Sequence, residues 1–355
     1  MKKKHLIITF LITIGALYYT FKNISLSELL KALSSVNYLS LLPAILIIIL
    51  TYLFRAIRWK YLINPIKNGI KTTNLFSPLI IGFMGNLLPA RAGEFIRAYL
   101  LGKKEDLSFS MSFATVFVER LFDLIFLMLI MTWLLVFRAD IFLSAGNFKD
   151  VAVVSILRKF GFTTLALSIG IVIFSYLLLH FREKMLNIVR IIIRPFPEKI
   201  SLKIIEFINS FAQGLGILKD IKSLFLISIL SAIVWIFMMG TYYLFYLAFG
   251  FNELPYISII VLSVVIGVLI SLFPTPGFLG SYQAACVIGL HEIYKVSEVA
   301  AVNFGIITWF IQMGTVFVLG LFFIFRENIS FKELVKKGSG IQGGEGVSEN
   351  KPLNP

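Results

Sequence analysis

Long apolar stretches, separated by short charged segments, dominate the pattern of hydrophobic and polar positions along the chain. A helix needs about 20 apolar residues to cross about 30 Å of hydrocarbon, so stretches of this length predict membrane-spanning helices. The stretches are unbroken rather than alternating, which argues against a transmembrane β-barrel. Six stretches fit a spanning helix: 6–21, 39–54, 109–137, 162–181, 223–250 and 302–325.

Two further apolar regions, 75–101 and 257–291, are interrupted by proline and glycine, and neither predicts a single clean crossing. The interruptions resemble each other, because Gly82 and Gly267 are each followed by four residues, a hydrophobic pair and a proline. Paired interruptions in two halves of a chain are typical of transporters with a binding site near the bilayer midplane. The predicted break residues are Pro89, Gly93, Pro274, Pro276, Gly277 and Gly280. We therefore predict an all-α, polytopic membrane protein with about six spanning helices and two re-entrant hairpins in an inverted repeat.

Composition narrows the class of protein further. The 355 residues are 58% apolar and 15% charged, with a mean hydropathy of +0.89. Soluble domains are about 45–50% apolar and about 25% charged, so an ordinary soluble domain is excluded. A single cysteine, Cys286, excludes a disulfide-stabilised secreted module, and 35 phenylalanines exclude a disordered chain.

The net charge of +14 carries information about orientation. With a cytoplasmic N-terminus and two hairpins that return to their own side, four basic segments lie inside. These segments are 55–71, 91–104, 182–222 and the tail from 326. If both interrupted regions crossed instead, segment 182–222 would lie outside, so the positive-inside rule favours the hairpins. We predict a multi-pass protein of the cytoplasmic membrane with both termini cytoplasmic, and with 6–21 retained as an anchor because no cleavage site follows it.

The domain organisation is predicted to be simple. Residues 1–338 form one transmembrane domain, with halves at about 39–137 and 223–325, and the glycine-rich tail 339–355 is predicted to be disordered. Segment 182–222 has the apolar spacing of an amphipathic helix. It either lies on the anionic inner leaflet or packs against the cytoplasmic helix ends of the protein.

Polar residues inside the predicted helix 109–137 are the first candidate functional residues. They form one stripe: Ser112, Thr115, Glu119 and Asp123. Arg120 is adjacent, and ionisable groups near mid-bilayer are costly unless they are paired or solvated, so they predict a functional cavity. The alternative is an internal ion-pair cluster in which Arg120 contacts Glu119, Asp123 or Glu94.

The first interrupted region supplies further candidates. A short helix starting near Gly93 would direct its positive N-terminal end inward, where together with Arg91 it would suit a phosphate. Asn86, Arg91 and Glu94 are therefore predicted to bind substrate together with the stripe, whereas Arg97 is predicted to be an interfacial charge. Arg120 is predicted to face the same phosphate from across the cavity.

The second half is uncharged at the matching elements, where Gln283 and Gln312 are the substrate-binding candidates. Gln312 lies on a mild polar stripe with Thr308 and Thr315, and hydrogen bonding between helices explains that stripe equally well. Three scattered histidines and one cysteine form no familiar metal site, and no phosphate-loop motif is present. We predict no metal, no cofactor, no nucleic-acid partner and no catalytic residue, because paired carboxylates in a membrane helix are more typical of proton or cation sites than of acid–base catalysis.

Four sequence motifs carry a resemblance to a known family: NLLPARAGE (86–94), SFA (112–114), VERLFD (118–123) and PTPG (274–277). In this order they resemble the lysylphosphatidylglycerol synthase transmembrane region family, over roughly residues 5–325. The resemblance implies movement of lipids with modified head groups, such as aminoacylated phosphatidylglycerol, between leaflets. Relatives act with a soluble synthase or glycosyltransferase domain, so the resemblance also implies such a partner here, supplied separately.

The sequence departs from the family pattern in its second half. Phe278 replaces a glycine, Gln283 stands where a glutamate is expected, and Thr308-Trp309-Phe310 replaces a segment that often contains an arginine. These differences bear on the identity of the head group and on proton coupling. The leading hypothesis is a lipid flippase for an aminoacyl or glycosyl lipid. The alternatives are the membrane component of a lipid-modifying transferase and a non-transporting envelope scaffold.

Overall fold

The computed structural model describes residues 36–88, 91–143, 147–148, 151–152, 181–194 and 197–329, and eight further positions. The described chain is almost entirely helical. Its helices are α1 (Leu42–Ile63), α2 (Thr72–Gly85), α3 (Ala92–Glu105), α4 (Phe109–Phe137), α5 (Ala139–Leu143), α6 (Arg182–Ile193), α7 (Glu198–Gly214), α8 (Ile221–Phe249), α9 (Ile257–Leu272), α10 (Ser281–Cys286) and α11 (Glu298–Arg326). A π-helical segment, Val287–Ile293, continues α10, and the short strands β1 (Asn147–Phe148) and β2 (Val151–Ala152) pair antiparallel.

Four helical segments of the described chain are long and apolar enough to cross a membrane. They are Tyr38–Ile63, which is α1 with a preceding 3₁₀ turn, and the helices α4, α8 and α11. They correspond to four of the six predicted stretches. The other two, 6–21 and 162–181, lie outside the described residues apart from isolated positions, as does the predicted disordered tail.

Helix α1 is longer than its sequence pattern predicts. We expected the span to end at residue 54 and residues 55–71 to be a cytoplasmic loop, but the helix continues to Ile63. The reason is that apolar residues keep helical spacing beyond residue 54, and Trp59 and Leu62 are fully buried. Arg55 and Arg58 therefore lie inside the helix, and neither is a loop charge.

The first interrupted region folds as two antiparallel helices, α2 and α3, with the break between Gly85 and Ala92. Their outer ends meet, because the Asn74 side chain donates a hydrogen bond to Glu105 at 2.8 Å. Near the break the backbones touch, since a Cβ on Gly93 would overlap the carbonyl oxygen of Gly82. The pair therefore ends at the same end of the bundle at which it begins.

The second interrupted region has the same shape. Helix α9 ends at Leu272, and the chain then passes through a turn containing Gly277 and Gly280, both with positive φ, before α10 begins. The returning segment packs against α9, since a Cβ on Gly289 would lie 2.8 Å from a methyl carbon of Leu262. The helices are thus interrupted where the sequence predicted, although Pro89 itself lies outside the described residues.

The two halves, α1–α4 and α8–α11, have the same order of elements and pack into one bundle. The corresponding helices α1 and α8 lie side by side and antiparallel, since Asn37 N–H donates to the Ala248 carbonyl at 3.2 Å. Helix α11 crosses to the first half, where Phe323 meets Phe76 of α2 at 5.7 Å. A Cβ on Gly267 of α9 would in turn lie 2.9 Å from the Leu127 side chain of α4. Each half therefore contributes to the packing of the other.

Helix α7 shows where the amphipathic segment lies. Phe211 packs edge-on against Phe117 of α4, with the ring centroids 5.7 Å apart. Gly214 lies so close to the first turns of α4 that a Cβ would be 2.5 Å from Ala114. Packing against the protein's own helix is therefore observed, and contact with an anionic leaflet stays a prediction.

Candidate functional site

Glu119 of α4 lies at the centre of a group of buried arginines. Its carboxylate accepts two hydrogen bonds from Arg97, at 3.3 Å to Oε1 and 2.8 Å to Oε2. Arg120 donates to Oε1 at 2.7 Å, and Nη2 of Arg58 lies 3.0 Å from the same oxygen. The side chains of Glu119 and Arg58 are fully buried, so this charge is neutralised by arginines and not by solvent.

Asp123, one helical turn further along α4, makes a second set of contacts. Arg58 Nη1 donates to Oδ1 at 2.7 Å, while Oδ2 lies 3.3 Å from Arg120 Nη1 and 3.5 Å from Arg55 Nη1. Glu94 lies 3.8 Å from Nε of Arg120. We refer to these residues as the arginine–carboxylate cluster: Arg55, Arg58, Glu94, Arg97, Glu119, Arg120 and Asp123.

Sequence reasoning placed only part of this cluster correctly. Arg97 was predicted to be an interfacial charge, which is wrong: only 2% of it is exposed, and it pairs with Glu119. Arg55 and Arg58 were missed because they were assigned to a loop. Arg55 precedes Trp59 by four residues, and Arg58 precedes Leu62 by four, so each arginine lies on the helix face of a large apolar residue. This spacing could have identified the two arginines from sequence. Arg120 contacts Glu119, Asp123 and Glu94, so the predicted alternative of an internal ion-pair cluster is the arrangement observed.

Aromatic rings complete the surroundings of the cluster. The guanidinium carbon of Arg97 lies 4.9 Å from the ring centre of Trp59, a distance typical of a cation–π contact. Phe83 lies near three guanidinium groups, with Arg55 at 5.3 Å and Arg120 at 5.7 Å from its ring centre. These rings lie against the guanidinium groups and favour their positive charge.

A small open cleft lies beside the cluster, with an internal volume of about 10 Å³, enough for a group the size of one water molecule. Its lining comes from α2, α3, α4 and the first break: Gly82, Phe83, Asn86, Gly93, Glu94, Arg97 and Arg120. Three of these residues have a buried polar atom without a hydrogen-bond partner: Oδ1 of Asn86 and Nε of both Arg97 and Arg120. Unpartnered buried groups are costly, so this cleft has unused capacity for a polar ligand.

Arg91 was predicted to bind a phosphate together with Arg120, and this stays a prediction; the structure shows its contact with the second half. It adopts a left-handed backbone conformation, with φ of 52°, at the start of α3. Its Nη2 donates to the carbonyl oxygen of Ile270 at 2.9 Å, near the end of α9. A cation at a helix C-terminus is favourable because the carbonyl groups there carry partial negative charge. Arg91 thus joins the two halves and does not line the cleft.

The two glutamines of the second half make separate, uncharged hydrogen bonds outside the arginine–carboxylate cluster. Gln312 donates to the hydroxyl of Tyr282 at 2.7 Å, and this hydroxyl lies 3.0 Å from Thr308 Oγ1. Gln283 accepts from the Gly280 N–H at 2.7 Å and so caps its own helix. Neither glutamine lines the cleft. The predicted break residues Pro274 and Pro276 lie in the turn between α9 and α10.

The two networks occupy matching places in the two halves. Helices α4 and α11 each begin after a serine whose hydroxyl accepts a backbone hydrogen bond, Ser108 and Ser297. Counted from these serines, Thr308 takes the place of Glu119, and Gln312 takes the place of Asp123. The halves thus share a framework, and at these two matching positions only the first half carries ionised side chains.

The chemistry available at this site is ion binding. The carboxylates of Glu119 and Asp123 are occupied by arginines, which leaves them unsuited to accept a proton from a substrate. Within the described residues, no group of three histidine, cysteine, aspartate or glutamate side chains could hold a metal ion. Guanidinium groups in the lining of a small polar cleft are suited to an oxyanion.

Comparisons with known proteins identify the family to which the chain belongs. The family model described as lysylphosphatidylglycerol synthase TM region matches residues 6–320. A UPF0104 membrane protein of Methanocaldococcus jannaschii is 32% identical over 121 residues, which is 33% of this chain and 35% of that protein. Glycosyltransferase AglD of Haloferax volcanii is 23% identical over 356 residues, which is 94% of this chain and 56% of that protein.

A UPF0104 membrane protein of Methanothermobacter thermautotrophicus is 27% identical over 269 residues, which is 71% of this chain and 72% of that protein. The chain thus covers between about a third and three quarters of the length of these relatives. No solved structure matches significantly. Since the family model covers most of the sequence, the chain is a multi-pass membrane protein of the lysylphosphatidylglycerol synthase transmembrane region family.

Proposed function

We propose that the protein is a lipid flippase that moves a phospholipid or polyprenyl lipid with an aminoacyl or glycosyl head group between the leaflets. The head group enters the cleft beside Arg97 and Arg120, and the acyl or prenyl chains remain in the lipid. Head groups cross a bilayer slowly without help because they must leave water, and a polar cleft inside the bundle lowers that cost.

One observation carries the proposal: an arginine–carboxylate cluster lies deep in the bundle beside a polar cleft. At about 1.5 Å per residue, Glu119 lies roughly 15 Å from the start of α4. Charged groups at such depth are expensive in a membrane and typically mark a substrate pathway. The unpartnered donors of Arg97 and Arg120 distinguish this cluster from an ion-pair network that is satisfied by itself.

The proposal includes a topology. Helices α2–α3 and α9–α10 are re-entrant hairpins, both termini are cytoplasmic in the cell membrane, and 6–21 and 162–181 complete about six spans. The antiparallel packing of the corresponding helices α1 and α8 supports an inverted repeat, since matching elements then point in opposite directions. Interrupted backbone at membrane depth is tolerated where it is buried in protein or lines a cavity.

Reconstitution of the purified full chain into vesicles tests the proposal. A membrane-impermeant phosphatase reports the outer-leaflet fraction of a polyprenyl phosphate, and an impermeant amine reagent reports that of an aminoacyl lipid. We expect wild-type protein to expose the inner-leaflet pool of at least one lipid, and Arg120→Gln to slow this by about tenfold or more. Arg138→Gln, which changes an exposed arginine outside the cluster, is the matched control. Wild-type vesicles that behave like protein-free vesicles for both lipids would exclude the proposal.

A second candidate function is the membrane component of a lipid-modifying transferase that works with a separate soluble synthase or glycosyltransferase. The similarity to a protein named a glycosyltransferase, over 94% of this chain, favours it. Lipid analysis of cells lacking the protein separates the two functions. Absence of the modified lipid supports the transferase component, whereas a normal amount in the wrong leaflet supports the flippase. A non-transporting scaffold predicts no effect of neutral substitutions in the cluster.

A further inference from the structure

Helix α6, together with the residue that caps its C-terminal end, presents an exposed basic face. Five side chains share this face, and all of them are exposed: Lys184, Asn187, Arg190, Ile191 and Arg194. At about 100° of rotation per residue, these positions occupy about a third of the helix circumference. Ile191 lies between the basic residues and is 73% exposed. A large apolar side chain among cations is typical of a helix that lies in a membrane interface.

The basic residues of this face have no acidic partner among the described residues. Arg190 donates a hydrogen bond to Asn187 of its own helix at 2.8 Å. Nζ of Lys184 lies 5.6 Å from the ring centre of Phe181, which is itself 44% exposed. Arg194 forms neither an ion pair nor a side-chain hydrogen bond within the described part of the chain. The positive charge of the face is therefore available to an anion outside the protein.

Another side of α6 faces the protein and fixes where the helix lies. Leu186 is 3% exposed, and α6 packs against α7. Helix α7 in turn packs against the first turns of α4 through Phe211 and Gly214. In the proposed topology these turns lie at the cytoplasmic side of the membrane, so α6 is placed at the inner leaflet.

We infer that α6 is a lipid-contact site separate from the cleft. Its three basic residues bind the phosphate groups of an anionic leaflet, and Ile191 inserts among the acyl chains. The site does not depend on lipid transport, although its place at the inner leaflet rests on the proposed topology. Each basic residue close to an anionic leaflet contributes about fivefold to binding. The two predictions for segment 182–222 are thus divided between its helices, because α7 packs on the protein and α6 contacts the leaflet.

Amide hydrogen exchange of the full chain in nanodiscs tests this site. One preparation contains phosphatidylcholine alone, and the other contains an equal mixture of phosphatidylcholine and phosphatidylglycerol. Both leaflets of a disc carry the same lipids, so the result depends neither on the orientation of the protein nor on lipid movement. We expect exchange within Arg182–Ile193 to be at least about fivefold slower in the anionic discs. The difference should disappear at about 1 M salt, where the Debye length is about 3 Å.

Neutral substitutions test which residues hold the lipid. In the double variant Arg190→Gln/Arg194→Gln we expect α6 to exchange equally fast in both kinds of disc. Lys71→Gln/Lys219→Gln removes the same charge from exposed positions outside α6 and should keep the difference. Equal exchange of wild-type α6 in neutral and anionic discs overturns the inference. A difference that persists in Arg190→Gln/Arg194→Gln overturns it as well, because the two arginines would then not bind the lipid.

A fluorescent label on Ile191→Cys reports whether this position leaves water. Glu253→Cys, at an exposed position between α8 and α9, carries the same label as the control. In anionic discs we expect brominated acyl chains to quench the label on Ile191→Cys, and water-soluble acrylamide to quench the label on Glu253→Cys. Quenching of the Ile191→Cys label by acrylamide alone would place the face in water and refute the inference. A negative vesicle assay with the expected quenching would refute the flippase and leave this lipid site intact.

Discussion

The backbone N–H of Gly277 donates a hydrogen bond of 2.7 Å to the carbonyl oxygen of Asn86, and so joins the two interrupted regions at their breaks. The carbonyl of Gly277 in turn accepts from Nε1 of Trp309 at 2.7 Å. Arg91 adds a third connection through its hydrogen bond to Ile270. Backbone groups that leave a helix at membrane depth need such partners because lipid supplies none. The breaks therefore stabilise each other, beside the cleft that Asn86 lines.

Replacing Trp309 tests this connection between the breaks. Trp309→Phe keeps the ring but leaves the Gly277 carbonyl without its donor, so we expect a loss of about 1–3 kcal/mol in stability. We also expect faster amide hydrogen exchange within 273–280, measured by mass spectrometry in detergent. Trp133→Phe, at a partly exposed position, is the control. Unchanged exchange in Trp309→Phe would show that the hydrogen bond does not hold the second break.

Replacing Gly93 by alanine tests the close approach of α2 and α3. In Gly93→Ala the new methyl group would overlap the carbonyl oxygen of Gly82, which is backbone and unable to turn aside. We expect a large loss of folded protein, seen as aggregation by size-exclusion chromatography after detergent extraction. Gly314→Ala in α11 meets nothing within 4 Å and should keep or raise stability by about 1 kcal/mol, because alanine favours helix. Normal yield and elution of Gly93→Ala would contradict the observed packing.

Removing a carboxylate from a buried ion pair should lower stability far more than removing one from an exposed ion pair. Glu119→Gln removes the charge that three arginines share, and we expect it to lower stability by about 3–5 kcal/mol, as for other broken buried pairs. Asp140→Asn affects an exposed contact with Arg138 and should change stability by less than about 1 kcal/mol. Thermal unfolding in one detergent at constant salt compares the two variants. A similar, small effect of both would mean that Glu119 is solvated in the protein.

Cys286 offers a probe of the second half, because it is the single cysteine of the chain and is fully buried. We expect no reaction with a water-soluble maleimide in the folded protein and full reaction after denaturation, monitored by mass shift. Glu253→Cys, at an exposed position between α8 and α9, should add one rapidly modified site. Rapid modification of wild-type protein would place Cys286 in a solvated path and contradict the packing of α10.

Much of the framework could be predicted from sequence because the apolar stretches are long and the breaks contain proline and glycine. Helix α4 has the predicted bounds, and α3 begins at Ala92, one residue before the expected start near Gly93. The predicted polar stripe does face the interior, where Ser112 and Thr115 are fully buried. Periodicity and helix-breaking residues are local properties, so one sequence is enough to read them.

The partners of the charges could not be predicted in the same way. Sequence reasoning treated Arg55, Arg58 and Arg97 as cytoplasmic or interfacial charges, because an arginine at the edge of an apolar stretch usually marks its end. In the protein these residues come from α1 and α3 and meet the carboxylates of α4: Arg58 and Arg97 contact Glu119, and Arg55 contacts Asp123. Their addition brings the cluster to four arginines against three carboxylates.

The sequence alone determined that the chain is helical and membrane-embedded, that it contains two similar interrupted regions, and that Glu119, Arg120 and Asp123 lie inside a helix. Only the tertiary structure decided which arginines meet those carboxylates, that Arg91 caps α9, and that Gln312 bonds to Tyr282 while Gln283 caps its own helix. The physical reason is that hydrophobic burial follows the local spacing of residues. Ion pairing depends instead on distances of a few ångströms between helices far apart in sequence.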